Sequence, residues 1–294
     1  MLFVLRDKLV PFLIFFHSVL CGCTKQDARG GFDRIRKDYT VQQMGRLRKD
    51  EVVESSGLAV ASPAGDLWTH GDGGNTTWLY LVTPQGDLIR THPVRGAYNV
   101  DWEDLAQDRQ RGTLYIGDFG NNTNKRRDLR IYQLSGPQFS QLDTIQFRYP
   151  DQREFPPKKP FRNFDCEAFF FHNDSLYLFT KNRGKGNWVK EYHLPAKPGN
   201  HVARLADSIQ VNTWVTSADI SPDGRTVALL GYGHVYLIKR QPGAKLFDGD
   251  KSCFPMPSSG QAEALVFVNQ NDFVVSNEKG KLFKVALKPD VAQR

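Results

Sequence analysis

Asp101-Trp102-Glu103-Asp104-Leu105-Ala106 sets acidic residues two apart and then runs directly into an apolar stretch. Four other segments are written in the same way: Glu54-Ser-Ser-Gly-Leu-Ala59, Asp165-Cys-Glu-Ala-Phe-Phe170, Thr216-Ser-Ala-Asp-Ile-Ser221 and Gln261-Ala-Glu-Ala-Leu-Val266. They recur at intervals of about 45–65 residues. Each is followed by a turn and a second short apolar run, such as Leu114–Ile116 or Leu176–Phe179, and then by a third, such as Leu129–Tyr132, Val235–Ile238 or Leu282–Val285. A repeating unit of roughly fifty residues built from three or four short strands is the pattern of a propeller blade. No stretch holds a 3.6-residue apolar period over three turns, so the fold class is all-β. Five units predict a five-bladed β-propeller, with six blades as the alternative if the longest interval hides a degenerate unit. The fifth repeat ends after three strands. A segment between Tyr39 and Val53 is therefore predicted to supply its outer strand and close the ring.

Composition agrees. Among 294 residues, 40% are hydrophobic and 24% charged, which is enough apolar content for a core and excludes coiled-coil, collagenous and polytopic membrane classes. The net charge of +7 would suit a nucleic-acid partner, but the basic residues are scattered and the chain starts with an export signal, so no nucleic acid is expected.

That signal is read from Arg6 and Lys8 followed by Leu9–Leu20, apolar apart from His17 and too short to span a bilayer. Leu20-Cys21-Gly22-Cys23 follows at once and resembles the bacterial lipoprotein box. An ordinary cleavage site with incidental cysteines is the plainer reading. The box implies a signal peptide over 1–22, lipidation of Cys23, and a membrane partner met through the N-terminal lipid. Thr24 after the cysteine, by likeness to Gram-negative lipoproteins, favours the outer membrane. Residues 23–38, polar and Gly-containing, are expected to be a flexible tether, and 39–294 a single propeller domain. Cys166 and Cys253 either pair in the oxidising envelope or stay as two isolated thiols.

Ile220-Ser-Pro-Asp-Gly-Arg-Thr-Val-Ala228 resembles the strand–turn–strand signature of WD40-like and TolB-like propeller repeats. In order along the chain, Ser56-Gly-Leu-Ala59, Asp101 to Ala106, Tyr115-Ile-Gly-Asp-Phe-Gly-Asn-Asn122 and Cys166-Glu-Ala-Phe169 resemble a group of bacterial propeller lipoproteins. These are distantly similar to SdiA-regulated and phytase-like propellers. The resemblance spans about residues 52–285 and implies the fold; propellers host many unrelated activities, so it assigns no reaction.

Blade topology brings the start of each inner strand beside the loop that follows the second strand. Strand alternation then predicts two acidic columns on one face: Glu54, Asp101 and Asp165, and, two residues on, Glu103, Glu167 and Glu263. Asp104 and Asp219 fall on the other side. Loops after the second strand add His70, Asp72, Asn75, Asp118, Asn121, Asn122, Lys181, Asn277 and Glu278. Two of them match as Asp72-Gly-Gly-Asn75 and Asp118-Phe-Gly-Asn121, where glycine allows close backbone approach. So many carboxylates at one opening need neutralising. Ca²⁺, which takes six to eight oxygen ligands, would do so through Asp101, Glu103, Asp165, Glu167 and Glu263. Pairing with Lys or Arg, or purely structural hydrogen bonds between blades, would do so equally. Lys125-Arg126-Arg127, Lys181, Arg183, Lys185, Lys279 and Lys281 ring this face.

Two functions follow. The first is an envelope module that binds a glycan, an anionic small molecule or an envelope protein through its acidic face, with Asp72, Asn75, Asp118, Asn121, Lys181, Arg183 and Asn277 as ligand-binding candidates. Of the five tryptophans, most are expected to pack between blades. The second is a Ca²⁺-dependent hydrolase of a phosphoester or similar anion, with Asp101, Glu103, Asp165, Glu167, Glu263 and His70 as catalytic candidates. There is no G-x-S-x-G, H-E-x-x-H, P-loop or G-x-G-x-x-G motif.

Overall fold

The structure is a computed structural model that describes residues 23–256 and 259–292. The expected signal segment lies outside the described residues. The chain enters through a short helix, α1 (Lys25–Arg29), and two strands, β1 (Phe32–Arg34) and β2 (Tyr39–Arg46). Blade 1 follows, with β3 (Ser55–Val60), β4 (Leu67–Gly71), β5 (Trp78–Val82) and β6 (Leu88–Pro93) in sequence order from the axis outward. Blade 2 is built likewise from β7 (Trp102–Asp108), β8 (Thr113–Asp118), β9 (Arg130–Ser135) and β10 (Gln141–Arg148). Blade 3 uses β11 (Cys166–His172), β12 (Ser175–Thr180) and β13 (Trp188–Pro195). The chain then lends β14 (Gly199–Val202) as a parallel fifth strand to β10 before β15 (Arg204–Gln210) completes blade 3. Blade 4 is β16 (Val215–Ile220), β17 (Thr226–Gly231), β18 (His234–Lys239) and β19 (Asp250–Pro255). Blade 5 has β20 (Ala262–Phe267), β21 (Phe273–Asn277) and β22 (Lys281–Leu287), and β2 pairs antiparallel with β22 as its outer strand. The five blades, and closure by the segment after Tyr39, are as the repeat predicted.

Five apolar clusters hold the ring, one across each junction between blades. Trp68 and Trp102 anchor the cluster between blades 1 and 2. Leu58, Leu67 and Tyr80 of blade 1 meet Ala264, Val274 and Leu282 of blade 5, and that contact closes the circle. Inner and second strands are buried on both faces, which explains their continuous apolar runs; the outer strands carry the polar residues. The expectation that most tryptophans pack between blades fails. Trp68 and Trp102 do so, whereas Trp78 and Trp188 are exposed and Trp214 is half-buried beside two cations.

Residues 23–38 are also not a free tether. Strand β1 pairs in parallel with β19, and Phe32 is buried with its ring 4.5 Å from that of Tyr236. Buried Asp27 accepts hydrogen bonds from Tyr236 Oη at 2.6 Å and Thr24 N at 2.7 Å. Phe32 is the single aromatic in a charged stretch, and the tyrosine that receives it lies two hundred residues away, beyond the reach of local composition.

Cys253 does not pair with Cys166, which is buried and free, but with Cys23. In the chain-entropy description, closing a loop of this length stabilises by roughly 5 kcal/mol. The Cys23 sulfur cannot carry both a disulfide and a thioether lipid. Intact mass and non-reducing alkylation of the mature protein are expected to show Cys166 as the only free thiol and Cys23–Cys253 oxidised. An acylated Cys23 with Cys253 open to alkylation would contradict this pairing.

Candidate functional site

Every inner strand is irregular at the same place. In its pairing with the second strand, the register slips between Ser55 and Gly57, Trp102 and Leu105, Cys166 and Ala168, Val215 and Ser217, and Ala262 and Ala264. Each slip is a β-bulge, and the extra residue is Ser56, Glu103, Glu167, Thr216 or Glu263 in turn. A bulge re-aims the side chain it carries. Three glutamates therefore point together into one cavity of about 170 Å³ at the mouth of the central channel. Glu54, Asp72, Asp101 and Glu278 join them, giving seven carboxylates, together with Lys181, Arg183 and Tyr232.

Charges are shared out unevenly. Glu167 takes Lys181 Nζ at 2.8 Å and Arg183 Nη2 at 2.9 Å; Arg183 Nε also bonds Asp165 at 2.5 Å and reaches Asn122. Trp214 lies under Arg183 and Lys181, with Tyr232 beside the lysine. On the opposite side of the mouth Asp72, Asp101 and Glu103, whose oxygens gather within 4.8 Å of one another, make no ion pair with a described residue; Arg126 and Arg183 act on Asp101 only at longer range. Glu103 is 6% exposed and its carboxyl makes no hydrogen bond to any described residue. Two glycines permit this convergence. A Cβ at Gly120 would overlap the carboxyls of Glu103 and Asp101, and one at Gly73 would overlap Asp101. Both belong to the matched Asp-x-Gly-type loops, and they serve close approach to side chains of a neighbouring strand.

Burial, then the charge of Glu167, pushes Asp72 up to about 7 and Asp101 to about 6, and Glu103 rises well above its usual range for the same two reasons. Burial, against the pull of Lys181, lifts Glu263 to about 8. Glu167 goes the other way: burial opposes ionisation, but Lys181 and Arg183 prevail and hold it below the usual range. Three converging carboxylates, all with raised pKa values, suit a hard divalent cation, which would favour their ionised form and supply oxygen ligation.

Of the residues singled out by sequence, Asp72, Asp101, Glu103, Glu167, Glu263, Lys181 and Arg183 line the mouth. Asp165 does not; it is fully buried beneath, accepting from Arg183 and from Asn121 N at 2.6 Å. His70 lies within β4, sealed from the cavity, with Nδ1 on Gly71 O at 2.8 Å and its ring edge-on to Trp102. Burial drops its pKa to about 4, and it does not line the mouth. Asn75 instead ties its own loop, donating to Asp72 O. Asp118 is buried, accepting from Asp101 N and paired with Arg126. Asn121 and Asn277 bond the backbone of Phe164 and Ser259. These four shape loops; the repeated amides recur because the turns recur. Ser55, Ser56 and Tyr232 line the mouth without having been foreseen. Tyr232 follows Gly231 at the end of β17, in the position that Asp72 and Lys181 hold in blades 1 and 3, and that alignment was open to view.

Asp104, fully buried, ties the inner strands together. Its carboxyl accepts from Leu105 N at 2.9 Å, Phe169 N at 3.3 Å, Ala218 N at 3.2 Å and Ser217 Oγ at 3.1 Å, and Ser217 Oγ accepts from Leu265 N at 3.0 Å. Blades 2, 3, 4 and 5 are thereby pinned to one side chain and its hydroxyl partner.

No protein-family model matches the chain, and no curated protein matches it in sequence. Among solved structures, a gluconolactonase from Xanthomonas campestris is similar at 12% identity over 89% of this chain and 93% of its own, with a TM-score of 0.52. The PQQ-bound aldose sugar dehydrogenase of Streptomyces coelicolor is similar at 12% identity over 85% and 98%, with a TM-score of 0.51. The Pan2 WD40 domain of Neurospora crassa matches at 10% identity over 87% and 97%, with a TM-score of 0.46. The first two likenesses, with TM-scores above 0.5, agree with the β-propeller fold. At such identities they concern the fold alone.

Proposed function

We propose that this protein is a propeller binding module whose mouth takes a divalent cation, Ca²⁺ by its oxygen-only donors, on Asp72, Asp101 and Glu103, and through it an anionic ligand. The observation that carries this reading is Glu103: a buried residue at a bulge whose carboxyl makes no hydrogen bond or ion pair with a described residue and converges with two others that make no ion pair with one either. When bound, the cation would supply charge neutralisation and a point of attachment for a phosphate or carboxylate. Arg183, with its side chain 20% exposed, faces the same cavity and would meet the ligand's remaining charge. The hydrolase reading draws on Glu263, which shares the cavity and holds a proton near neutral pH, as a general acid must. An envelope address reached by export, with Cys23 held in its disulfide and not lipidated, belongs to the same proposal.

Calorimetric titration of the full mature chain with CaCl₂, repeated in two buffers of different ionisation enthalpy, tests it. One Ca²⁺ per chain is expected, with proton release and affinity rising from pH 6 to pH 8. Glu103→Gln and Asp72→Asn should each abolish binding while the melting transition stays cooperative. Absence of binding in the native protein at millimolar Ca²⁺ would overturn the proposal. Turnover of a phosphoester panel only with Ca²⁺ present would select the hydrolase.

A further inference from the structure

A second cavity lies away from the mouth, on the rim of blade 3. It holds about 580 Å³, within the range of small-molecule sites. One wall is the crossover from blade 2 to blade 3, residues 151–163; the other is the loop 181–187 between β12 and β13, with Trp188 at the start of β13. The two walls are fastened to each other: Arg183 N donates to Arg162 O at 2.9 Å, Lys185 N to Pro160 O at 3.1 Å, and Asn163 Nδ2 to Trp188 O at 2.8 Å. Behind them, Asp151 takes Lys190 Nζ at 2.6 Å and Tyr192 Oη at 2.8 Å, and Arg127 packs over the Phe155 ring. The cavity is therefore preformed, which spares a ligand the cost of ordering it.

Two features of its lip face solvent. Phe161 and Trp188 are 67% and 45% exposed, at the edge of a cavity whose floor, Asn163 and Phe164, is buried. Arg153, Lys158 and Lys185 also line it, and none makes an ion pair with a described residue; of the acids present, Asp151 is already held by Lys190 and only Glu154 is left. Aromatic faces beside free cations select a ligand with a flat apolar ring face and negative charge. The amides of Asn163 and Asn182 are spent on the backbone and on Thr180, so specificity falls to stacking and charge. We propose that this cleft binds an acidic saccharide, its ring against Trp188 or Phe161 and its carboxylates on Lys158, Lys185 and Arg153. The inference does not rest on the cation reading of the mouth.

The test is titration of the full mature chain with trigalacturonate, followed by tryptophan fluorescence and calorimetry. Galactotriose serves as the neutral control, inorganic phosphate as the charge alone, and a tri-glutamate peptide as a ringless anion. Trigalacturonate is expected to bind and to weaken as salt rises. Trp188→Ala and the pair Lys158→Ala with Lys185→Ala should each cost about tenfold or more in affinity, whereas Glu103→Gln at the mouth should leave it unchanged. All these lip residues are exposed, and an unshifted melting transition verifies that the variants fold. Equal binding of galactotriose, of phosphate or of the peptide would overturn the proposal, as would no binding at millimolar ligand or an affinity indifferent to the lip variants.

Discussion

Asp104→Ala is expected to lower the stability of the propeller by about 3–5 kcal/mol, because each buried donor left without an acceptor costs about 1–3 kcal/mol and several lose theirs at once. The donors are Leu105 N, Phe169 N, Ala218 N and Ser217 Oγ, all within 3.3 Å of the carboxyl. They come from three blades, so what is lost is contact between blades at the axis. Removing the acid also removes a cost, since burial first, against those same donors, lifts its pKa well above the usual range. That offset is why the figure stays below the simple sum. For a domain of this size the melting temperature should fall by roughly 10 °C. Asp104→Asn, which keeps the shape and one acceptor oxygen, should lose less. Thermal unfolding followed by near-UV circular dichroism measures both, and an Asp104→Ala protein that melts with the native one would show that solvent or rearrangement replaces the latch.

Without calcium, the protein is expected to become less stable as pH rises from 5 to 8. Asp72, Asp101 and Glu263 have folded-state pKa values of about 7, 6 and 8, all above those of the unfolded chain. Over that window the native state binds more protons than the unfolded one, so unfolding free energy decreases with pH. The contribution of these groups is complete below about pH 4 and is lost as pH passes through 6 to 8. A fall in melting temperature of roughly 5–10 °C across the window is reasonable for such a cluster once solvent screening at its open side is discounted. Saturating Ca²⁺ should flatten the curve, adding about 2.7 kcal/mol at one hundred times its dissociation constant. Glu103→Gln should remove part of the slope and all of the calcium effect. A calcium-free protein that gains stability between pH 5 and pH 8 would mean that the mouth is already neutralised by its own cations.

Much of the architecture was written in order along the chain. Five recurrences of an acidic start followed by an apolar run specify five blades, since each blade must bury the same inner strand in the same surroundings. The incomplete fifth repeat required an outer strand from elsewhere, and Tyr39–Arg46 provides it. The acidic columns at Glu103, Glu167 and Glu263 were visible for the same reason.

What depended on the assembled ring is which of those acids meet. Alternation assumes an unbroken register, and the bulge in every inner strand adds a residue that leaves no mark in composition. It sends Glu103 to the mouth and Asp104, its neighbour, to the axis. Asp165 and Glu167 look equivalent in the sequence, yet only Glu167 lines the mouth while Arg183 pairs with both, because the loop after β12 is braced against the crossover from blade 2. Cys23 finds Cys253 and Asp27 finds Tyr236 across more than two hundred residues. A short-range pattern is a statement about one blade. Ion pairs, disulfides and unpaired carboxyls are settled where two blades, or the two ends of the chain, come within a few ångströms of each other.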